Sequence, residues 1–129
     1  MTGPKSPNSW QYRGLNMVNP GLDHLSNGLM QLVEAGHNVV AGSADLQYSN
    51  GLNRFAAAYP DRYISFGISE QNMVSVAAGI ATTGVVPFVA TFASFLGLLA
   101  CEQIRMDVAY SAQPVRLVRF GPQPFVPVG

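Results

Sequence analysis

At 129 residues and 13.8 kDa the chain has room for one domain, which excludes a second globular unit. Seven Lys and Arg balance seven Asp and Glu, and the basic residues are scattered, which excludes the electrostatic footprint of a nucleic-acid binder. Charged residues make up only 11% of a chain that is 48% hydrophobic, where soluble domains carry about 25% charge, so part of its surface is expected to lie against a partner.

Residues 1–20 carry three Pro, two Gly and several Ser and Asn without an apolar period, and read as a flexible N-terminal arm. The domain is expected over 21–129. Leu22, Leu25, Leu29, Leu32 and Val33 keep helical spacing, with Gly36 as the stop. Val39 to Ala41 predict a short buried strand, followed by a loop from Gly42 to Gly51 in which Asn50-Gly51 is a turn signal. A second helix is predicted over Leu52 to Ala58 and a second strand over Arg62 to Gly67. Ser69 suits the N-cap of a third helix that stops at Gly84. Its run Val74, Val76, Ala77, Ala78, Gly79, Ile80, Ala81 has almost no polar face and predicts burial on all sides.

Val85 to Ala90 predict a third strand, in which Pro87 lacks a ladder donor and argues for an edge or an early position. The fourth helix, Ser94 to Tyr110, gathers Phe95, Leu98, Leu99, Met106, Ala109 and Tyr110 on one face and pairs Glu102 with Arg105. Val115 to Arg119 predict a fourth strand. Strands alternating with helices predict an α/β fold: a mostly parallel sheet with helices on both faces, incomplete at its C-terminal end because prolines crowd the last residues.

The longest apolar stretch, Gly84 to Cys101, is broken by Pro87, Thr91, Ser94 and Gly97, which fits a strand and a helix better than a membrane span. Residues Met1 to Asn19 lack the basic-then-apolar order of a secretion signal, and the cytoplasm is the expected compartment. Cys101, the single cysteine, lies in an apolar helical pattern and is expected to be an inert core residue.

Ligands of open α/β sheets bind at the carboxyl ends of strands, so chemistry is expected in the loops Gly42 to Gly51, Gly67 to Gln71 and Thr91 to Ser94. Each candidate there has two readings. Asp45 either caps a turn or acts at a site, and Glu70 either complements a helix dipole or acts on a ligand. Phe92 and Phe95 either fill the core or wall a pocket. His24 and His37 lie in no Cys/His/Asp metal-ligand spacing, so no metal ligand is assigned, and neither a Gly-x-Gly-x-x-Gly nor a Walker loop is present.

Taken together, the three loops resemble the pyrimidine-binding domain of the transketolase family. Gly42-Ser43-Ala44-Asp45-Leu46 followed by Ser49-Asn50 resembles its Gly-Ser-Ala-Asp-Leu-x-x-Ser-Asn loop. Gly67-Ile68-Ser69-Glu70-Gln71-Asn72-Met73 resembles the segment carrying its cofactor glutamate, in the form seen in the C-terminal subunit of bacterial two-subunit enzymes, and Thr91-Phe92-Ala93-Ser94-Phe95 resembles its aromatic wall. The resemblance implies thiamine diphosphate and the transfer of a two-carbon ketol unit between sugar phosphates. It implies that Glu70 contacts the ring nitrogen of the aminopyrimidine, that Phe92 and Phe95 pack against that ring, and that Asp45 lies at the cofactor and subunit boundary. A carboxyl group in an apolar slot suits the first role, because it can share a proton with a ring nitrogen.

The chain also departs from the family pattern. Leu98 stands where a third aromatic is usual, and Phe120-Gly121-Pro122-Gln123-Pro124 does not match the substrate loop. No Gly-Asp-Gly motif for the diphosphate and its Mg or Ca ion occurs. The expectation is therefore a truncated second subunit of a split transketolase. An N-terminal subunit would hold the diphosphate and the metal, within a homo- or hetero-oligomer. The alternatives are another thiamine enzyme of the same architecture, such as deoxyxylulose-phosphate synthase or a 2-oxoacid dehydrogenase β subunit, and a non-catalytic interaction module.

Overall fold

A computed structural model describes residues 20–120. The expected arm, apart from its last residue, and the residues beyond Phe120, including the departing Gly121 to Pro124 segment, lie outside the described residues. Helix α1 (Pro20–Glu34) leads through Gly36, at φ +87, into strand β1 (Val39–Ser43). Then come α2 (Asn53–Ala58), a single 3-10 turn Pro60–Arg62, β2 (Tyr63–Ser65), α3 (Glu70–Ala81) and β3 (Val86–Phe92). A helical segment over 95–110 precedes β4 (Arg116–Phe120).

All four strands are parallel, in the order β2-β1-β3-β4, as the alternation of elements predicts. The chain moves from β1 to β2 in one direction, and from β2 through β3 to β4 in the other. Crossovers of one hand then require α2 on one face of the sheet and α3 and 95–110 on the opposite face. The two cores follow that division. Leu29, Leu52 and Phe55 of the first face pack on Ala41 and Ala90, whereas Met73, Ala77, Ala78 and Ala81 pack on Val89 and Val115 of the second.

Three expectations need correction, and a fourth is met in one of its two forms. Helix α3 is not buried on all sides: Gln71, Asn72, Val76 and Gly79 face outward, because the sheet and 95–110 cover only the Met73, Val74, Ala77, Ala81 side. Pro87 takes the early position expected of it, as the second residue of β3, and not the edge, since β3 pairs with both β1 and β4 and Pro87 is fully buried opposite Val40. Cys101 is exposed rather than core, one residue beyond the buried Ala100. Ser69 stands at the N-terminus of α3 but does not cap it, because its hydroxyl donates backward to Phe66 O at 2.8 Å.

The segment over 95–110 shows why a pattern can be right and its direction wrong. Leu96, Ala100, Ile104 and Val108, spaced by four, pack inward against Val74 and Leu117. Four residues overshoot an α-helical turn by about 40°. The wider π turns Phe95–Leu99 and Ile104–Tyr110, on either side of one α turn at Cys101–Gln103, keep that row facing the core. The α-spaced face, Phe95, Leu98, Leu99, Met106 and Tyr110, is thereby turned outward. The Glu102–Arg105 pair forms as predicted, with contacts of 2.8 and 3.1 Å on the exposed side.

Candidate cofactor site

Because every strand runs the same way, the loops after β1, β2 and β3 leave the sheet at one edge, and these loops carry Asp45, Glu70, Phe92 and Phe95. Phe92 ends β3 and Phe95 opens the next helical segment. Their ring centroids stand 5.8 Å apart at 52°, within the range of favourable aromatic pairs. Both remain more than a third exposed, at 36% and 37%, so the rings do not serve as core.

Glu70 is the first residue of α3 and only 6% exposed. Among the described residues none hydrogen-bonds its carboxyl. Its place relative to the aromatic pair is fixed by packing. Val74, one turn on along the same helix face, packs on Leu96 and Ala100, and Gln71 Nε2 donates to Leu99 O at 3.1 Å.

Asp45 is exposed on the β1–α2 loop in a left-handed conformation, φ +60, which Asp tolerates better than most residues. The structure does not bring it to the Phe92–Phe95 pair through any described contact. Its carboxylate acts instead on Tyr63, whose hydroxyl shares a hydrogen bond with Ser43 Oγ at 2.8 Å. Burial pushes the Tyr63 phenol above its usual 10.0, Ser43 opposes that rise, and the charge of Asp45 adds to it.

Two residues missed by the sequence reading hold this edge together. Ser26 of α1 is fully buried. It donates to Gly51 O at 2.5 Å and accepts Phe55 N–H at 3.1 Å. Asn50 is also fully buried and donates from Nδ2 to Ala90 O at 2.8 Å. A signal for Ser26 existed: it falls four residues after Leu22, on the apolar stripe of α1, where a polar side chain must find a partner.

The family profile described as "Transketolase, pyrimidine binding domain" matches residues 23–122. The chain belongs to that family. Similar proteins include the 6-deoxy-6-sulfo-D-fructose transketolase subunit SqwH of a Clostridium species, 35% identical over 73% of this chain and 29% of that protein. The 1-deoxy-D-xylulose-5-phosphate synthase of Tropheryma whipplei is 40% identical over 70% of this chain and 14% of that protein. Among solved structures, a split gene transketolase described as an inactive beta4 tetramer superimposes with a TM-score of 0.66 at 37% identity, covering 73% of this chain and 31% of that one. The chain thus spans under a third of the length of these relatives. The α/β fold expected for a transketolase pyrimidine-binding domain is the one observed.

Transketolases and deoxyxylulose-phosphate synthases are thiamine diphosphate enzymes, and the residues at this edge fit the pyrimidine end of that cofactor. A buried carboxyl without a hydrogen-bond partner among the described residues begins an apolar helix, on the sheet edge that also presents two aromatic rings.

Proposed function

We propose that this chain supplies the aminopyrimidine half of a thiamine diphosphate site in a transketolase-type transferase, with Glu70, Phe92, Phe95 and Asp45 as its contribution. The observation that carries this reading is the buried carboxyl of Glu70, without a hydrogen-bond partner among the described residues, on the sheet edge that presents the aromatic pair. When bound, thiamine diphosphate supplies the carbon nucleophile that carries a two-carbon ketol unit between sugar phosphates. Glu70 Oε shares a proton with a pyrimidine ring nitrogen, and the apolar slot keeps water from competing for that hydrogen bond. Phe92 and Phe95 cover the ring and fix its plane. Asp45 marks the boundary with the adjoining subunit.

The diphosphate and its Mg or Ca ion are assigned to a partner, an N-terminal transketolase subunit, a reading supported by the similarity to a transketolase C-terminal section and to a split gene transketolase. Support for a partner also comes from the outward row Phe95, Leu98, Leu99, Met106 and Tyr110 beside the site, an apolar surface that water covers poorly. The domain assignment follows: residues 21–129 form part of the pyrimidine-binding unit, with 1–20 as an arm. Among the described residues no helix is long and apolar enough to cross a membrane. The cytoplasm is the proposed compartment, where sugar phosphates are found. A second reading, deoxyxylulose-phosphate synthase, is favoured by the 40% identity to that enzyme.

The test is Glu70→Gln in a complex reconstituted with a diphosphate-binding subunit. Turnover is expected to fall by a factor on the order of a hundred or more, with partner affinity unchanged. Turnover at the wild-type level would overturn the assignment and leave a binding module.

A further inference from the structure

We propose that Asn50 is a positioning residue, whose amide spans the ends of β1 and β3 and sets where Phe92 stands relative to the loop that carries Asp45. In the order β2-β1-β3-β4 the chain reverses direction between β1 and β3, and the crevice at their carboxyl ends is where a ligand of such a sheet sits. β1 stops at Ser43, opposite Ala90, whereas β3 runs two residues further to Phe92 with only β4 beside it. Past Ser43 the β1 side of β3 has no strand, and the Asn50 side chain takes over by donating to Ala90 O at 2.8 Å.

The amide is delivered by an anchored loop. Asn50 N–H donates to Leu46 O at 2.9 Å, and the next residue, Gly51, is held through its carbonyl by Ser26. A movement of Asn50 is therefore a movement of the strand end two residues before Phe92. Stability alone accounts poorly for this side chain. Its Oδ1 is buried without a partner, as is Thr91 Oγ1 on the adjacent residue, and an orphaned buried acceptor offsets much of what one hydrogen bond contributes. Fixing one strand end against one loop is what the Nδ2 bond does.

For its functional half the proposal rests on reading Phe92 as part of the pyrimidine wall. The experiment separates the two. In the full chain, a fluorine-labelled phenylalanine at position 92 is followed by NMR in the wild type, Asn50→Ala, Asn50→Asp and Val39→Ala. Val39→Ala serves as a comparator that removes buried volume at the far end of β1. Both Asn50 variants are expected to shift or broaden the resonance at neutral pH while Val39→Ala leaves it in place. In Asn50→Asp the introduced carboxyl, whose protonation burial favours, can donate to Ala90 O once protonated as pH falls and return the resonance to its wild-type position, measured against the wild type at the same pH.

An unmoved resonance in the Asn50 variants, an equal change in Val39→Ala, or failure of the acid rescue overturns the proposal. Asn50→Asp decides the matter if Asn50→Ala does not fold. With a diphosphate-binding subunit present, the Asn50 variants are expected to bind thiamine diphosphate about tenfold more weakly, the equivalent of one hydrogen bond. Unchanged affinity in the variants overturns the functional half. A wild-type complex with no affinity at all, alongside the expected fluorine result, removes the cofactor reading and leaves the positioning of Phe92 by Asn50 standing.

Discussion

The hydroxyl of Ser26, in the first helix, accepts the backbone N–H of Phe55 in the second at 3.1 Å. Leu52, the residue that precedes α2, offers no side-chain cap, so a free N–H of that short helix is satisfied from another element instead. Ser26→Ala leaves that donor and Gly51 O without their described partner in a dry interior. A loss of about 1–2 kcal/mol is expected, read as a lower urea midpoint at unchanged slope.

Gly42 is fixed by close approach rather than by a turn. A Cβ placed there would meet Ile64 O at 2.7 Å and the Phe66 ring at 2.5 Å, and a strand carbonyl cannot move aside as a flexible side chain can. Gly42→Ala should therefore destabilise the fold by about 1–3 kcal/mol and loosen β2 from β1, seen as faster amide exchange at Ile64 and Ser65.

Tyr63 gives a signature at alkaline pH. With its phenol raised by burial, the unfolded chain ionises first, at the usual 10.0. Its contribution to stability is thus intact below that pH and declines as pH climbs from there through the folded value. Tyr63→Phe removes this part of the alkaline decline. Asp45→Asn should move the tyrosinate absorbance transition to lower pH, since the carboxylate adds to the rise.

Phe92 and Phe95 are half-solvated, so shortening them should alter binding more than folding. Phe92→Ala is expected to lower the melting temperature only slightly while weakening thiamine diphosphate retention in the reconstituted complex by about tenfold, the magnitude of a lost stacking contact plus its area.

Leu98 is 83% exposed in the middle of the outward apolar row. Leu98→Lys should leave the folding stability within about 0.5 kcal/mol of wild type and reduce association with a partner subunit, measured by sedimentation.

Much of this fold is legible from spacing. The alternating apolar runs place all four strands, and the stops at Gly36 and Gly84 coincide with left-handed backbone, φ +87 in each. What the sequence hides is direction. The run from Val74 to Ala81 shows no polar face, yet Val76 lies outside, because composition cannot say which side a sheet will cover. The outward row of 95–110 is hidden for another reason: two apolar periods, one of four residues and one of the α-helix, are interleaved, and only packing chooses between them. At the candidate site, Glu70 and the aromatic pair are visible as motif residues. The long-range bonds of Ser26 and Asn50 have sequence separations of 25 and 40; Ser26 shows only as a polar residue in an apolar stripe, and Asn50 only as a turn and motif residue, neither of which names its distant partner.

The common strand direction has a practical corollary for labelling. Ser26, near the start of α1, reaches Gly51, and β4 ends opposite Phe92, so both ends of the described chain emerge on the crowded side of the molecule. The turn at Thr82 to Gly84 lies across the full height of the sheet, where the two threonine hydroxyls donate only to Gly79 O and Ile80 O. A short epitope or fluorophore grafted into that turn would report on assembly without standing in its way.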